Sequence, residues 1–233
     1  MANSAPQAGS IHAVVVLSGG MDSAVCASLA VREHGPEAVA ALHVDYGQRT
    51  ETRERRAFAE ICARLRIARR LVVQNQSLSQ IGGSALTDRS RDAIDARRPG
   101  SSVPDTYVPF RNTHLLAVAA SWGEVLGARR LVIGAVEEDS SGYPDCRASY
   151  YEAFNALLRL GTRPETALEV VTPVIAMSKA EIVRQGLRLQ APLHLTWSCY
   201  TEDAYACGRC ESCLLRLKGF REAGAEDPIP YRT

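Results

Sequence analysis

Directly after the apolar run 13–17 the chain reads Ser18-Gly19-Gly20-Met21-Asp22-Ser23, and a helical pattern begins at once behind it. A β-branched strand that ends in a Ser/Gly turn and feeds a helix aims backbone N–H groups and the positive helix end at one point, which suits an anion. Phosphate is the expected guest. Two glycines let the backbone close on its oxygens, Ser18 and Ser23 add hydroxyl donors, and Leu17 and Met21 complete the candidate loop. Asp22 would repel phosphate unless a divalent cation lay between them, so Mg²⁺ belongs to the expectation. A plain strand-to-helix turn with a Ser/Asp cap would account for one glycine but not for all six residues.

A second constellation is Cys199, Cys207, Cys210 and Cys213, spaced C-x7-C-x2-C-x2-C. Four thiolates can close a tetrahedral shell around Zn²⁺ with no open position, which makes the site structural rather than catalytic. Arg209, Arg216 and Lys218 lie close in sequence to offset the negative charge of such a site. Ferredoxin-type iron–sulfur spacings do not match. Buried thiols at helical spacing would not explain the polar residues between the last three cysteines.

Three further clusters are weaker. Asp45-Tyr46-Gly47-Gln48-Arg49 follows the second apolar run, where Tyr46 and Gln48 could contact a nucleotide or simply form a turn. Arg111 and Asn112, after Val108-Pro109-Phe110, open a helix; Arg111 suits phosphate, and Asn112 serves equally as an N-cap. The run 137–147 collects Glu137, Tyr143, Asp145 and Arg147. Carboxylates there could accept from a guanine-like ring, the tyrosine could stack on it and the arginine could pair with a substrate carboxylate, unless the run is an acidic surface loop. Lys179 stands apart, because it and Lys218 are the only lysines in a chain that otherwise uses arginine. A compact ammonium at a helix start can neutralise a pyrophosphate leaving group; a solvated helix end is the alternative.

The elements that must position these residues alternate. Apolar runs at 13–17, 39–44, 70–73, 131–135 and 168–171 read as strands, and helical periodicity covers 22–33, 50–66, 113–126, 149–160, 179–189 and 210–221. The expected fold class is α/β, with a mostly parallel five-stranded sheet covered on both faces and ligands beyond the carboxyl ends of its strands. Residues 1–10 read as a flexible tail and 11–190 as the nucleotide-binding domain. Within that domain 80–106 is a long irregular stretch expected to be a mobile insertion, and 191–233 is expected to be a small zinc-binding helical region.

Composition excludes several classes. The 233 residues suffice for one α/β domain with a sizeable core, and a net charge of +1 gives no global field for a stable nucleic-acid or anionic-membrane partner. No run approaches the roughly 18 apolar residues of a membrane span, and the first ten residues lack the features of a secretory signal. The expectation is a cytoplasmic enzyme. Seven cysteines, odd in number and unevenly spread, do not suggest a disulfide framework.

The loop 18–23 resembles the SGGxDS loop of PP-loop ATP pyrophosphatases, which cleave ATP between the α and β phosphates. Further segments resemble the 7-cyano-7-deazaguanine synthase family of queuosine precursor biosynthesis: 45–49, 108–112, 142–147, Thr172-Pro173 with 178–182, and Ser198-Cys199-Tyr200 followed by 207–213. They span 14–220 in the family's order. Phe110 departs from the pattern, since a small residue, often glycine, is expected before the Arg-Asn pair. The resemblance implies a Rossmann-like adenine nucleotide alpha hydrolase fold, a structural zinc and a homodimer. It also implies an ATP-dependent C–N ligase that converts 7-carboxy-7-deazaguanine and ammonia to the nitrile through adenylated carboxylate and amide intermediates. Asp22, Lys179 and Arg111 would assist that chemistry. No glutaminase segment is recognisable, so free ammonium is the expected nitrogen source. A tRNA thiolase or lysidine synthetase is the rival within enzymes, and a zinc-ribbon binding module with a degenerate ATPase-like domain is the rival outside them.

Overall fold

The computed structural model describes residues 10–94, 103–137 and 142–232. Most of the tail, the 95–102 part of the insertion and the 138–141 part of the acidic run therefore lie outside the described residues. Five strands, β1 (Ala13–Val16), β2 (Val39–Asp45), β3 (Arg69–Gln74), β4 (Arg130–Ile133) and β5 (Glu169–Val171), form one parallel sheet in the order β3-β2-β1-β4-β5. The helices are α1 (Met21–His34), α2 (Glu51–Arg64), α3 (Ser77–Ile81), α4 (Arg111–Leu126), α5 (Ala148–Gly161), α6 (Lys179–Arg188) and α7 (Glu211–Ala223).

The strand period of two decides which layer each residue joins. On β1, Ala13 and Val15, with Leu17 just beyond, face a core shared with α1, α2 and α6; Val14 and Val16 face a second core beneath α4 and α5. The sheet is thus covered on both faces at its centre. At its edge β3 departs from that expectation: Arg69, Arg70, Val72 and Gln74 are exposed. An edge strand has a single neighbour to cover it, and two arginines there discourage pairing with another chain.

Two features of the packing bear on the site. Residues 191–232 form no separate core, because Trp197, Cys199, Phe220 and Ile229 belong to the same apolar cluster as Val15, Leu17 and Ala24. The described part of the 80–106 insertion, which includes the end of α3, is packed: Ser84, Ala85, Leu86, Ala93 and Thr106 are buried. Arg49 fastens it by donating to the carbonyls of Ala85 at 2.7 Å, Asp88 at 2.9 Å and Arg91.

The chain runs outward from β1 to β3 and then returns to place β4 against the other side of β1. That reversal opens a crevice at the carboxyl ends of β1 and β4, where doubly wound sheets bind ligands.

Candidate active site

A cavity of about 270 Å³ occupies this crevice. Its floor is the turn between β1 and α1. Gly19 has φ +92°, and a Cβ there would stand 2.7 Å from the Glu54 carbonyl oxygen, so only glycine fits. No side chain caps α1, which leaves its first-turn N–H groups directed at the cavity mouth. The serines close the turn on itself: Ser18 Oγ lies 3.1 Å from Ser23 Oγ and accepts from Gly20 N–H at 3.2 Å, while Ser23 Oγ donates to the Gly20 carbonyl at 3.0 Å. Gly134, just past β4, lets that strand approach α1, since a Cβ would lie 2.8 Å from Ser23 N.

Charge is arranged around the turn. Lys179 Nζ donates to Asp22 Oδ2 at 2.6 Å, the two side chains being 14% and 24% exposed. Asp22 Oδ1 is buried with no hydrogen-bond partner. A carboxylate oxygen so placed beside a phosphate site is a suitable ligand for Mg²⁺. Lys179 can approach because α7 presents Gly219 to it, where a Cβ would meet Lys179 Cβ at 2.7 Å.

Opposite the turn stands an aromatic wall. Arg111, the first residue of α4, donates from Nη1 to the Tyr46 hydroxyl at 3.2 Å, and its guanidinium lies 5.7 Å from the Tyr46 ring and 6.0 Å from the Tyr143 ring. Its Nε is buried without a partner. Tyr143 donates to Thr106 Oγ1 at 2.8 Å, and Tyr200 also lines the cavity. Burial raises the hydroxyl pKa of all three tyrosines, which keeps them neutral donors. Such rings beside a fixed cation offer stacking and charge to a flat, anionic guest.

Of the residues expected from sequence, Leu17, Ser18, Gly20, Met21, Asp22, Ser23, Tyr46, Gln48, Arg111, Asn112, Tyr143 and Lys179 line this one cavity. Two of them are largely committed to the fold. Gln48 accepts from Tyr46 N–H at 2.8 Å and donates to Glu54 at 3.1 Å; Asn112 donates to the Asp145 carbonyl at 2.8 Å and the Tyr151 hydroxyl at 3.2 Å. The described residues of the acidic run also make bonds within the fold. Asp145 is 2% exposed and accepts the Asn112 backbone N–H at 2.9 Å, capping α4. Glu137 accepts from Ala148 N–H at 3.0 Å at the start of α5, and Arg147 is exposed. None of these three lines the cavity.

The four cysteines converge at the cavity's flank. Their sulfur atoms all lie within 4.8 Å of one another, with Cys207 Sγ and Cys213 Sγ 3.9 Å apart. Tetrahedral Zn–S bonds of about 2.3 Å place sulfurs roughly 3.8 Å apart, so the cluster fits that ion. Backbone N–H groups of Thr201 and Cys207 donate to Cys199 Sγ at 3.5 and 3.4 Å, and those of Arg209 and Cys210 donate to Cys207 Sγ at 3.4 and 3.2 Å. Such donors stabilise thiolates. The cluster also grips the turn: Trp197 N–H donates to the Gly19 carbonyl at 2.8 Å, and Thr50 Oγ1 to the Cys199 carbonyl at 3.3 Å.

The family model described as "Queuosine biosynthesis protein QueC" matches residues 12–224, from the start of β1 past all four cysteines. The chain belongs to the QueC family. It is 60% identical to the 7-cyano-7-deazaguanine synthase of Koribacter versatilis, over 94% of this chain and 92% of that one. It is 54% identical to the enzyme of the same name from Chlorobaculum tepidum, over 96% and 97%. Among solved structures, the U34-tRNA thiolase NcsA from Methanococcus maripaludis with its [4Fe-4S] cluster superimposes with a TM-score of 0.49 at 17% identity, covering 82% of this chain and 60% of that one.

Several cavity residues were not among the candidate site residues read from the sequence. His43, Thr50, Glu54, Gly134 and Trp197 all line the cavity, as do Ser198 and Tyr200, which the sequence offered only as part of the family resemblance. One signal was visible: His43 interrupts the otherwise apolar run 39–44. No helix among the described residues is long and apolar enough to cross a membrane.

Proposed function

We propose that this member of the family converts 7-carboxy-7-deazaguanine and ammonia to 7-cyano-7-deazaguanine at the expense of two ATP. The observation that carries the reading is a single cavity with a phosphate-binding turn and the Asp22–Lys179 pair on one side and the Tyr46, Tyr143, Tyr200 and Arg111 wall on the other. The substrate carboxylate attacks the α-phosphorus of ATP and pyrophosphate leaves. Ammonia adds to the acyl carbon, loses a proton and displaces AMP, giving the amide. The amide oxygen attacks a second ATP, releasing pyrophosphate and one N–H proton to give the O-adenylated imidate, and loss of AMP and the remaining N–H proton leaves the nitrile.

The protein's part is orientation and charge. The α1 N-terminus and the 18–23 turn receive the phosphates, and Lys179 neutralises the departing pyrophosphate while holding Asp22. Asp22 Oδ1 would hold Mg²⁺, which supplies further neutralisation of phosphate charge. Arg111 and the tyrosines grip the planar substrate, with the unpartnered Arg111 Nε directed to its carboxylate. The four cysteines would hold a structural zinc. Free ammonia as donor and a homodimer complete the proposal. Burial pushes up the Cys146 thiol, the cysteine of the cavity wall, and a protonated thiol is a poor nucleophile, which disfavours a thiolase.

The test is to incubate the protein with ATP, Mg²⁺, ammonium and 7-carboxy-7-deazaguanine and to identify bases and nucleotides by mass spectrometry. Nitrile and two AMP per turnover are expected. ATP cleavage without nitrile would refute the substrate, and nitrile formed only with glutamine plus a partner protein would refute the nitrogen source.

A further inference from the structure

His43 is the one strongly buried histidine of the cavity wall, 1% exposed, and the chemistry above does not use it. The strand period turns residues 39, 41, 43 and 45 of β2 to the α2 side, so His43 and Asp45 share a face two residues apart. His43 Nδ1 lies 3.0 Å from the Leu17 carbonyl oxygen, and Nε2 lies 3.1 Å from Asp45 Oδ1. A carbonyl oxygen only accepts. A carboxylate also only accepts, and Arg55 Nε lies 3.3 Å from Asp45 Oδ2 on its far side. Both ring nitrogens must therefore carry protons, since either neutral tautomer would turn a lone pair against a buried acceptor.

We propose that His43 is a positioning residue, an imidazolium whose two N–H groups clamp the Leu17 carbonyl and the Asp45 carboxylate, so that it fixes the root of the phosphate turn and brings a titratable positive charge to the nucleotide cavity. The proposal rests on ATP being the guest of that cavity. Leu17 is the residue immediately before Ser18, and its own N–H is held by the Leu42 carbonyl at 2.8 Å. The peptide that enters the turn is thus fixed on both sides, and the imidazolium supplies one of them.

The groups around the ring agree. Burial alone would lower the His43 pKa, but the bonds to Asp45 and Leu17, with the charges of Glu54 and Asp45, raise it above the ordinary histidine value. From α2, Glu54 and Arg55 are the charged groups in reach, and Phe58 covers the ring at 5.2 Å between centroids. On the β3 side its register partner is the uncharged Val72. Because the folded-state pKa is raised, the clamp is complete at low pH and is lost as pH rises through that pKa. Deprotonation removes one of the two bonds and the charge together.

The experiment joins two measurements on the full-length protein. Nitrogen-15 NMR of the wild type, with His43→Gln used to assign the signal, reads the protonation of the ring directly. Calorimetry from about pH 6 to about pH 9 reads ATP affinity for wild type, His43→Gln and Asp45→Asn. A doubly protonated ring at neutral pH is expected, with wild-type affinity falling roughly tenfold as the ring deprotonates. His43→Gln should be weak throughout and lack that limb, and Asp45→Asn should move it to lower pH. A neutral ring at pH 6 with normal ATP binding, or an unchanged pH limb in His43→Gln, overturns the inference alone. A wild type that binds no ATP at any pH overturns the nucleotide reading and this inference with it.

Discussion

Substituting Gly134 by alanine asks whether the phosphate turn is set by backbone contact with β4. The added Cβ would stand 2.8 Å from Ser23 N, 2.9 Å from the Asp22 carbonyl carbon and 3.0 Å from Ser23 Cα, against ordinary contacts that begin at 3.4 Å. All three neighbours are backbone, so no flexible side chain can step aside. Either the first turn of α1 or the end of β4 must move, by about 0.5 Å, at a cost of roughly 1–3 kcal/mol for overpacking. A misplacement of about 1 Å near reacting atoms costs on the order of 100-fold in rate, so Gly134→Ala should lose about tenfold in kcat. The assay is nitrile formation under saturating ATP, with urea unfolding measured in parallel. Gly161→Ala is the control, since nothing lies within 4 Å of that position and α5 should tolerate it. A Gly134→Ala protein with wild-type kcat and an unchanged urea midpoint would show that the turn is not held this way.

Arg216→Met strips the buried Asp227 of bonds at 2.7 and 2.8 Å and should cost about 3–5 kcal/mol in urea unfolding; a loss under 1 kcal/mol would mean the pair is replaceable. Phe110 sits at φ +59° and is 57% exposed, so Phe110→Gly should relieve about 1–2 kcal/mol of left-handed strain, partly offset by glycine's chain entropy, and raise Tm by a few degrees. If the four cysteines hold a metal as proposed, a strong chelator should weaken ATP binding and change Trp197 fluorescence, because Trp197 N–H holds the Gly19 carbonyl; retained affinity in the chelated protein would uncouple the two sites.

The sheet was legible because β1 is apolar throughout and β2 and β4 are mostly so, and the turn 18–23 because its glycines and serines have few other uses. The cysteines were legible from spacing alone. The substrate side was not. Asp145 and Glu137 look like ligands in a linear reading, and in the fold each also accepts a backbone N–H at a helix start through one carboxylate oxygen, a partner visible only after folding. Tyr46, Tyr143 and Tyr200 come from three distant segments, so their common wall has no sequence signature. Phe110 is the reverse case. Its departure from the family's small residue marked a place where the backbone is left-handed, a conformation that glycine adopts freely.

The shared core of β1 and the cysteine segment also constrains how the protein is made. Val15 and Leu17 pack in one cluster with Trp197, Cys199 and Phe220, contacts that span about 180 residues of chain and are therefore slow to close. On a ribosome the strand at the centre of the sheet must wait, with part of one face uncovered, until the thiols have been synthesised. The nascent chain thus keeps apolar surface open to aggregation until the cysteine segment has emerged and packed against that strand.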